Sequence, residues 1–337
     1  MTVQPKEGGL GLPRVQGIQE ARDAIRPFLP ETPLLRSELI SRALAAEVWL
    51  KLETVSPVAS FKARGALAAL LRARRRGTLE AAVASSTGNH GQGVALAARI
   101  LGVPAHVFMP DPPNPIKRRM VEAFGAEVHL AGHDIDVAKD AAQDFASERG
   151  LPLVDDGESL DVMEGAATVG LEIAERLDAV DTVFVPMGSG NLAAGCAAAL
   201  KSGHRDARVT AVQSEGAPAM VESFRAGRPV ERPIDTIADG LVSRVPARLA
   251  LKALLSFVDE AMAVPDDALL ASVRTIAEAA HVLVEPSGAA GLAAAWLRRQ
   301  NLEGGRVVLV LTGANASAEV FRRALTGPPL VDLEAIR

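Results

Sequence analysis

The chain reads as an α/β protein built on parallel sheets with helices on both faces. Three observations predict this. Short apolar runs alternate with helical patterns through most of the 337 residues, and such alternation gives parallel strands joined by helical crossovers. Val307 to Leu311 holds five apolar residues in a row, which suits a strand buried on both faces. Polar or Gly-rich turns leave three of the runs at Ser86, Gly188 and Thr312. Those are the strand ends where ligands gather in open parallel sheets.

Residues 1–15 read as a loose arm. Helical spacing runs from Val15 to Leu29 and stops at Pro30. Thr32-Pro33-Leu34 turns into an extended segment, because proline fixes φ and biases its predecessor away from helix. Ser37 to Leu44 is a short helix, and Val48 to Glu53 alternates as a half-buried strand does. A helix follows over Ala66 to Leu71, with Lys62 in its first turn. Ala81 starts a strand that enters the turn Ser86-Thr87-Gly88-Asn89-His90-Gly91-Gln92-Gly93, then a helix from Val94 to Ile100. Strands at Ala105 to Met109, Glu127 to Leu130 and Leu151 to Val154 alternate with helices at Pro115 to Phe124 and Val137 to Arg149. A long helix spans Met163 to Arg176. Thr182 to Val185 is a strand running into Gly188-Ser189-Gly190-Asn191-Leu192 and a small-residue helix to Leu200. Val209 to Val212 is a strand and Thr236 to Gly240 a loop. Helices follow at Asp266 to Ala280 and Ala289 to Arg299, with Glu285-Pro286 between them.

The formal charge of -5 shows no basic surplus, which argues against a nucleic-acid partner. The basic cluster Arg72 to Arg76 is expected to be a solvated helix end, favoured there by the helix dipole. The single cysteine, Cys196, permits no intrachain disulfide and fits a reducing compartment. Met1 to Leu12 lacks a signal peptide's apolar core. No apolar run reaches the roughly 20 residues that span a bilayer. A cytoplasmic protein without membrane association is expected.

Lys62 is the residue that chemistry singles out. A cation is repelled at the positive end of a helix, which favours the neutral amine, a nucleophile able to condense with an aldehyde. The turns at Ser86 and Gly188 each precede a helix. Such turns aim unpaired N–H groups at one point and can hold an anion. Taken singly, each is also an ordinary capping turn.

Together these pieces resemble fold-type II pyridoxal-phosphate (PLP) enzymes, the group of threonine and serine dehydratases and serine racemase. Ser60-Phe61-Lys62-Ala63-Arg64-Gly65 is similar to the family's lysine motif. Ser86-Thr87-Gly88-Asn89-His90 resembles its asparagine loop, and Gly188 to Leu192 its glycine-rich phosphate loop. Thr236 to Gly240, Glu285-Pro286 and Thr312-Gly313 follow in the family's order. The likeness runs from about Thr32 to Asn315.

The resemblance implies a tryptophan synthase β-like fold of two three-layer αβα domains. Residues 1–77 plus 155–337 would form the large PLP-binding domain. Residues 78–154 would form the inserted small domain that carries the Asn89 loop. Lys62 would hold PLP as a Schiff base and later take the substrate's Cα proton. Phe61 would pack on the ring and Asn89 would bond its 3′-oxygen. Gly188, Ser189, Gly190, Asn191 and Leu192 would bind the phosphate. Gly240 and Glu285 would line the ring edge, and Thr312 would face the pyridine nitrogen. Ser86, Thr87, Gly88, Asn89 and His90 would hold the substrate carboxylate. A hydroxyl such as that of Thr312 cannot enforce ring protonation, so a long-lived carbanion is disfavoured and prompt β-elimination expected. The implied reaction turns a β-hydroxy amino acid into a 2-oxo acid and ammonia. The family is usually homodimeric.

The chain departs from the pattern at several points. Thr87 stands where racemase-like members carry an acid–base serine and typical dehydratases alanine. Its hydroxyl keeps racemisation open, as well as replacement chemistry of the threonine-synthase kind. Asn191 breaks a four-glycine phosphate loop. Glu164-Gly165-Ala166-Ala167-Thr168 replaces the usual Ala-Gly-Gln-Gly-Thr and points to an altered substrate pocket. Gln213 and Ala219 stand where serine racemases bind a divalent cation, so no metal is expected there. His106, His129, His133, His204 and His281 show no metal-ligand spacing. His90 is read as donating within its own turn, and Asp239 as a loop cap. A catalytically silent binding protein is the reading from another class.

Overall fold

The computed structural model describes residues 11–334; most of the arm expected over residues 1–15 lies outside them. The elements run α1 (Val15–Ile25), β1 (Leu34–Arg36), α2 (Glu38–Leu44), β2 (Glu47–Leu52), α3 (Lys62–Arg75), β3 (Ala82–Ser85), α4 (Asn89–Leu101), β4 (Ala105–Met109), α5 (Pro115–Ala123), β5 (Glu127–Leu130), α6 (Ile135–Arg149), α7 (Leu160–Arg176), β6 (Thr182–Pro186), α8 (Asn191–Gly203), β7 (Arg208–Ser214), α9 (Ala219–Ala226), α10 (Arg248–Phe257), β8 (Glu260–Val264), α11 (Asp266–Ala280), α12 (Ala290–Leu297), β9 (Arg306–Leu311) and α13 (Ala318–Thr326).

Two sheets result. The larger has the order β1-β2-β9-β6-β7-β8, and the smaller β3-β4-β5. All pairings are parallel except β1 with β2. The chain's most apolar strand, β9, lies between β2 and β6. Its side chains alternate between two cores, as a period of two requires. Val308 and Val310 pack with α7, α8 and α10, while Val307, Leu309 and Leu311 pack with α2, α11 and α12. A third core joins α1 and α3 to the small sheet, so the Lys62 helix packs against both layers.

Beneath Lys62 lies a buried charge network. Arg64 donates through Nε to Glu53 (2.8 Å) and through Nη2 to Glu172 (2.9 Å). Lys51 also donates to Glu172, and to the Thr32 carbonyl at 2.7 Å. Burial opposes the charge on Arg64, but Glu53 and Glu172 outweigh it and raise its pKa. The same balance holds Glu172 ionised, with Arg64 and Lys51 as its cations.

Several expectations are corrected. Leu151 to Val154 forms one bridge, Leu153 to Val83, rather than a strand. Pro152 offers the small sheet a carbonyl but no N–H. Helix α4 begins at Asn89, not Val94, so the polar turn is only three residues long. Elements α9, α10, β8 and α13 are additions to the expected order. The basic cluster is not simply solvated: Arg72 pairs with Asp161 (2.9 Å) and Glu164 (2.6 Å), tying α3 to α7. Cys196 sits in the core, where burial pushes its thiol up to about 12. Among the described residues, no helix is long and apolar enough to cross a membrane.

Candidate active site

Helices α3, α4 and α8 all begin at one cavity of about 230 Å³. Each helix N-terminus has N–H groups without intrahelical partners and carries partial positive charge. Three converging N-termini make a site for anions. The α8 start is set by Gly190, which adopts φ +100°, a conformation that favours glycine. A Cβ there would also meet Leu254 Cδ1 at 2.7 Å.

Lys62 is the first residue of α3, and its Nζ lies 4.8 Å from the Phe61 ring centroid. That amine donates to the Asp156 carboxylate, which lies 3.5 Å from the Ser189 hydroxyl. Asn89 is the first residue of α4 and donates through Nδ2 to Glu285 Oε1 at 2.8 Å. Burial, the dominant cause, raises the Glu285 carboxyl to about 7; Asp239 adds to the rise, and Lys117 and Asn89 oppose it. Thr312 follows β9 directly, and its carbonyl accepts from Phe61 N at 3.1 Å. That bond fixes the lysine loop to the end of the central strand.

At Gly93, α4 meets the start of α3 without a side chain between the backbones. A Cβ on Gly93 would lie 2.8 Å from both the carbonyl carbon and the oxygen of Lys62. The lysine and the Asn89 loop are thereby held in one rigid corner.

The cavity wall gathers Phe61, Lys62, Ser86, Thr87, Asn89, His90, Gly188, Ser189, Gly190, Leu192, Gly240, Glu285 and Thr312. Two expected residues lie behind it. Gly88 is packed under Lys117, and the Asn191 side chain turns back to donate to the Asp156 carbonyl at 2.6 Å. His90 does not bond within its turn. Its Nε2 meets the Val154 carbonyl at 2.7 Å, because α4 starts early enough to carry it across to that segment. Asp239 pairs with Lys117 instead of only capping its loop.

The altered motif on α7 does not touch the cavity. Glu164 bonds Arg72 and the Arg14 backbone, and Thr168 accepts from Arg64 at 3.0 Å. The segment is helix packing, so the inference of an altered pocket from it fails. Gln213 spends its amide on protein partners, donating to the Leu241 carbonyl (3.1 Å) and accepting from Met220 N and Val221 N.

Sequence reasoning missed Asp156, Lys117, Asp136, Lys139 and Arg244, which also line the cavity. Asp156 left a signal, an acidic pair straight after an apolar run. The others left none, since a charged residue on a helix or loop reads as solvated.

Comparison with known proteins decides the family. Residues 25–313 match the family described as "Pyridoxal-phosphate dependent enzyme". The chain belongs to this family. Its fold is the fold-type II arrangement, and its cofactor is PLP. It is similar to an L-threonine ammonia-lyase of Thermotoga maritima, at 34% identity over 92% of this chain and 78% of that one. A catabolic L-threonine dehydratase of Staphylococcus aureus is 35% identical over 88% of each chain. Maize serine racemase superposes with a TM-score of 0.88 at 29% identity, covering 94% of this chain and 97% of that one.

The cavity residues fit this cofactor. Asn89 Oδ1, His90 Nδ1, Asp156 Oδ1 and Glu285 Oε2 are buried polar atoms of the wall without a hydrogen-bond partner, although His90 Nδ1 and Asp156 Oδ1 face each other at 3.7 Å. Buried polar atoms are normally bonded, so these four suit a polar ligand. The α8 N-terminus suits its phosphate and Lys62 its aldehyde.

Proposed function

We propose that this PLP enzyme is an ammonia-lyase that removes water from a β-hydroxy amino acid such as L-serine, L-threonine or a bulkier relative. The products are a 2-oxo acid and ammonia. The observation that carries this reading is the convergence of Lys62, Asn89, Glu285, Thr312 and the α4 and α8 N-termini on one cavity. The relatives named threonine ammonia-lyase and dehydratase support it. Bound PLP supplies an electron sink for negative charge left at the substrate Cα.

In this reading Gly188, Ser189, Gly190, Asn191 and Leu192 hold the phosphate, Asn191 through its backbone. Phe61 would pack on the ring and the Asn89 amide would bond its 3′-oxygen. Gly240 and Glu285 would line the ring edge, and the Thr312 hydroxyl would serve the pyridine nitrogen. Ser86, Thr87, Asn89 and His90 would bind the substrate carboxylate at the α4 N-terminus, with Gly88 shaping the turn from behind the wall. Lys62 Nζ accepts and holds the Cα proton, steadied by Asp156. The neutral hydroxyl of Thr312 lets negative charge at Cα persist only briefly, which favours prompt loss of the β-hydroxyl.

Residues 78–154 are read as a small domain inserted into a large one of residues 1–77 plus 155–337. The enzyme is read as a cytoplasmic homodimer, on the family's habit and the composition. A panel of β-hydroxy amino acids, followed by ammonia and 2-oxo acid release, tests the activity. Release from serine or threonine, abolished in Lys62→Ala, is expected. No release from any member by PLP-loaded enzyme would overturn it. A second reading, racemisation, is favoured by one observation: the exposed Thr87 side chain borders the cavity. Chiral analysis of recovered serine separates the two.

A further inference from the structure

Away from the cleft, β4 and β5 bring three metal-binding side chains together. The parallel register sets His106 opposite Glu127 and Phe108 opposite His129. All four side chains therefore share one face of the small sheet. His106 Nδ1 lies 3.1 Å from His129 Nε2 and 3.3 Å from Glu127 Oε2. His129 Nε2 lies 3.7 Å from Glu127 Oε1. Three ligands at about 2.0–2.1 Å from a tetrahedral ion stand roughly 3.3 Å from one another. The two imidazole nitrogens, and the carboxylate oxygen nearest to each, match that spacing to within about half an ångström, and one ligand atom from each residue lies within 4.8 Å of the others.

We infer that His106, Glu127 and His129 form a binding site for a borderline divalent transition-metal ion, of which Zn²⁺ is the type. Two imidazoles and a carboxylate are the ligand set such ions prefer, with water in the open fourth position. The rings are held in place by neighbours. Phe108 stacks on His129 at 4.6 Å, and Phe145 of α6 lies 4.8 Å from His106. Arg149 is the nearby cation that works against the ion. It is stacked on Phe145 and lies 3.2 Å from Glu148.

The competing arrangement is a simple hydrogen bond between the two imidazoles. A metal ion must displace the hydrogen they share, which moves to the far nitrogen of its own ring, so both imidazoles bind in the neutral form. His106 and Glu127 lie at the starts of their strands, whereas the cleft loops leave from strand ends. The ion would therefore be structural, pinning the edge strand β5 to β4. Spacing along the sequence could not register the site, because its ligands meet across strands.

The test is equilibrium dialysis of the tag-free, PLP-loaded enzyme against Zn²⁺, with bound metal counted per chain. Wild type is expected to hold one ion. Glu127→Gln, at an exposed position, and His129→Gln are each expected to weaken binding about tenfold or more, with ammonia-lyase turnover unchanged. Wild type binding well under one ion per chain would overturn the site, as would unchanged affinity in Glu127→Gln. Should His129→Gln fail to fold by circular dichroism, the Glu127 variant decides.

Discussion

The charges beneath Lys62 and the charges at the mouth of the cleft are built on opposite plans. Below, the side chains of Lys51, Glu53, Arg64 and Glu172 are at most 5% exposed and knit into one network. At the mouth, Lys117–Asp239, Arg244–Asp136 and Lys139–Asp155 each leave at least one partner largely open to water. The first set has surrendered its hydration and holds together only because every charge is answered. The second keeps water within reach, so separating its partners costs little. Those outer pairs also join α5 and α6 of the small layer to segments beside the large sheet. The inner set anchors α3 in the core, and the outer set rims the cavity.

Breaking the inner network should have the largest effect. Arg64→Ala leaves Glu53 and Glu172 unpaired in the core and is expected to cost about 3–5 kcal/mol, read as a lower midpoint in urea. A small loss would mean that the network relaxes as easily as the mouth does. Glu285 lies between the two regimes, buried but with one oxygen unanswered. Its carboxyl is raised to about 7 from an ordinary 4.5, so the folded chain binds that proton more tightly than the unfolded one. Its stabilising contribution is full below pH 4.5, declines between 4.5 and 7, and is gone above 7. At about 1.4 kcal/mol per unit, the loss is on the order of 3 kcal/mol. Glu285→Gln should flatten that slope in cofactor-free protein unfolded at pH 5 and pH 8.

Smaller effects sharpen the contrast. Asp239→Asn frees Lys117 at the mouth and should raise the KM for the amino acid several-fold while leaving the unfolding midpoint nearly unchanged. Steady-state kinetics beside a thermal melt would check both. Arg244→Gln should leave stability unchanged and reduce only the dependence of KM on salt, since an exposed pair is screened.

The fold was legible because its strands are unusually apolar and its ligand loops carry small polar residues. Val307 to Leu311 could hardly be anything but a central strand. The lysine loop, the asparagine loop and the glycine loop were each readable as local chemistry. What escaped was partnership. Nothing beside Glu172 or Glu53 in the sequence says that Arg64 will answer both. His90 was read as bonding nearby because its distant acceptor, the Val154 carbonyl, leaves no mark. Glu164 seemed to alter a pocket because its motif position suggested so, whereas the helix turns it toward Arg72.

The bare backbone contact between Gly93 and Lys62 has a mechanical consequence. Two backbones in direct contact leave no side chain between them to yield, so the first residue of α3 and the second turn of α4 cannot draw closer. The placement of the lysine against the Asn89 turn is therefore set by main chain rather than by rotamers.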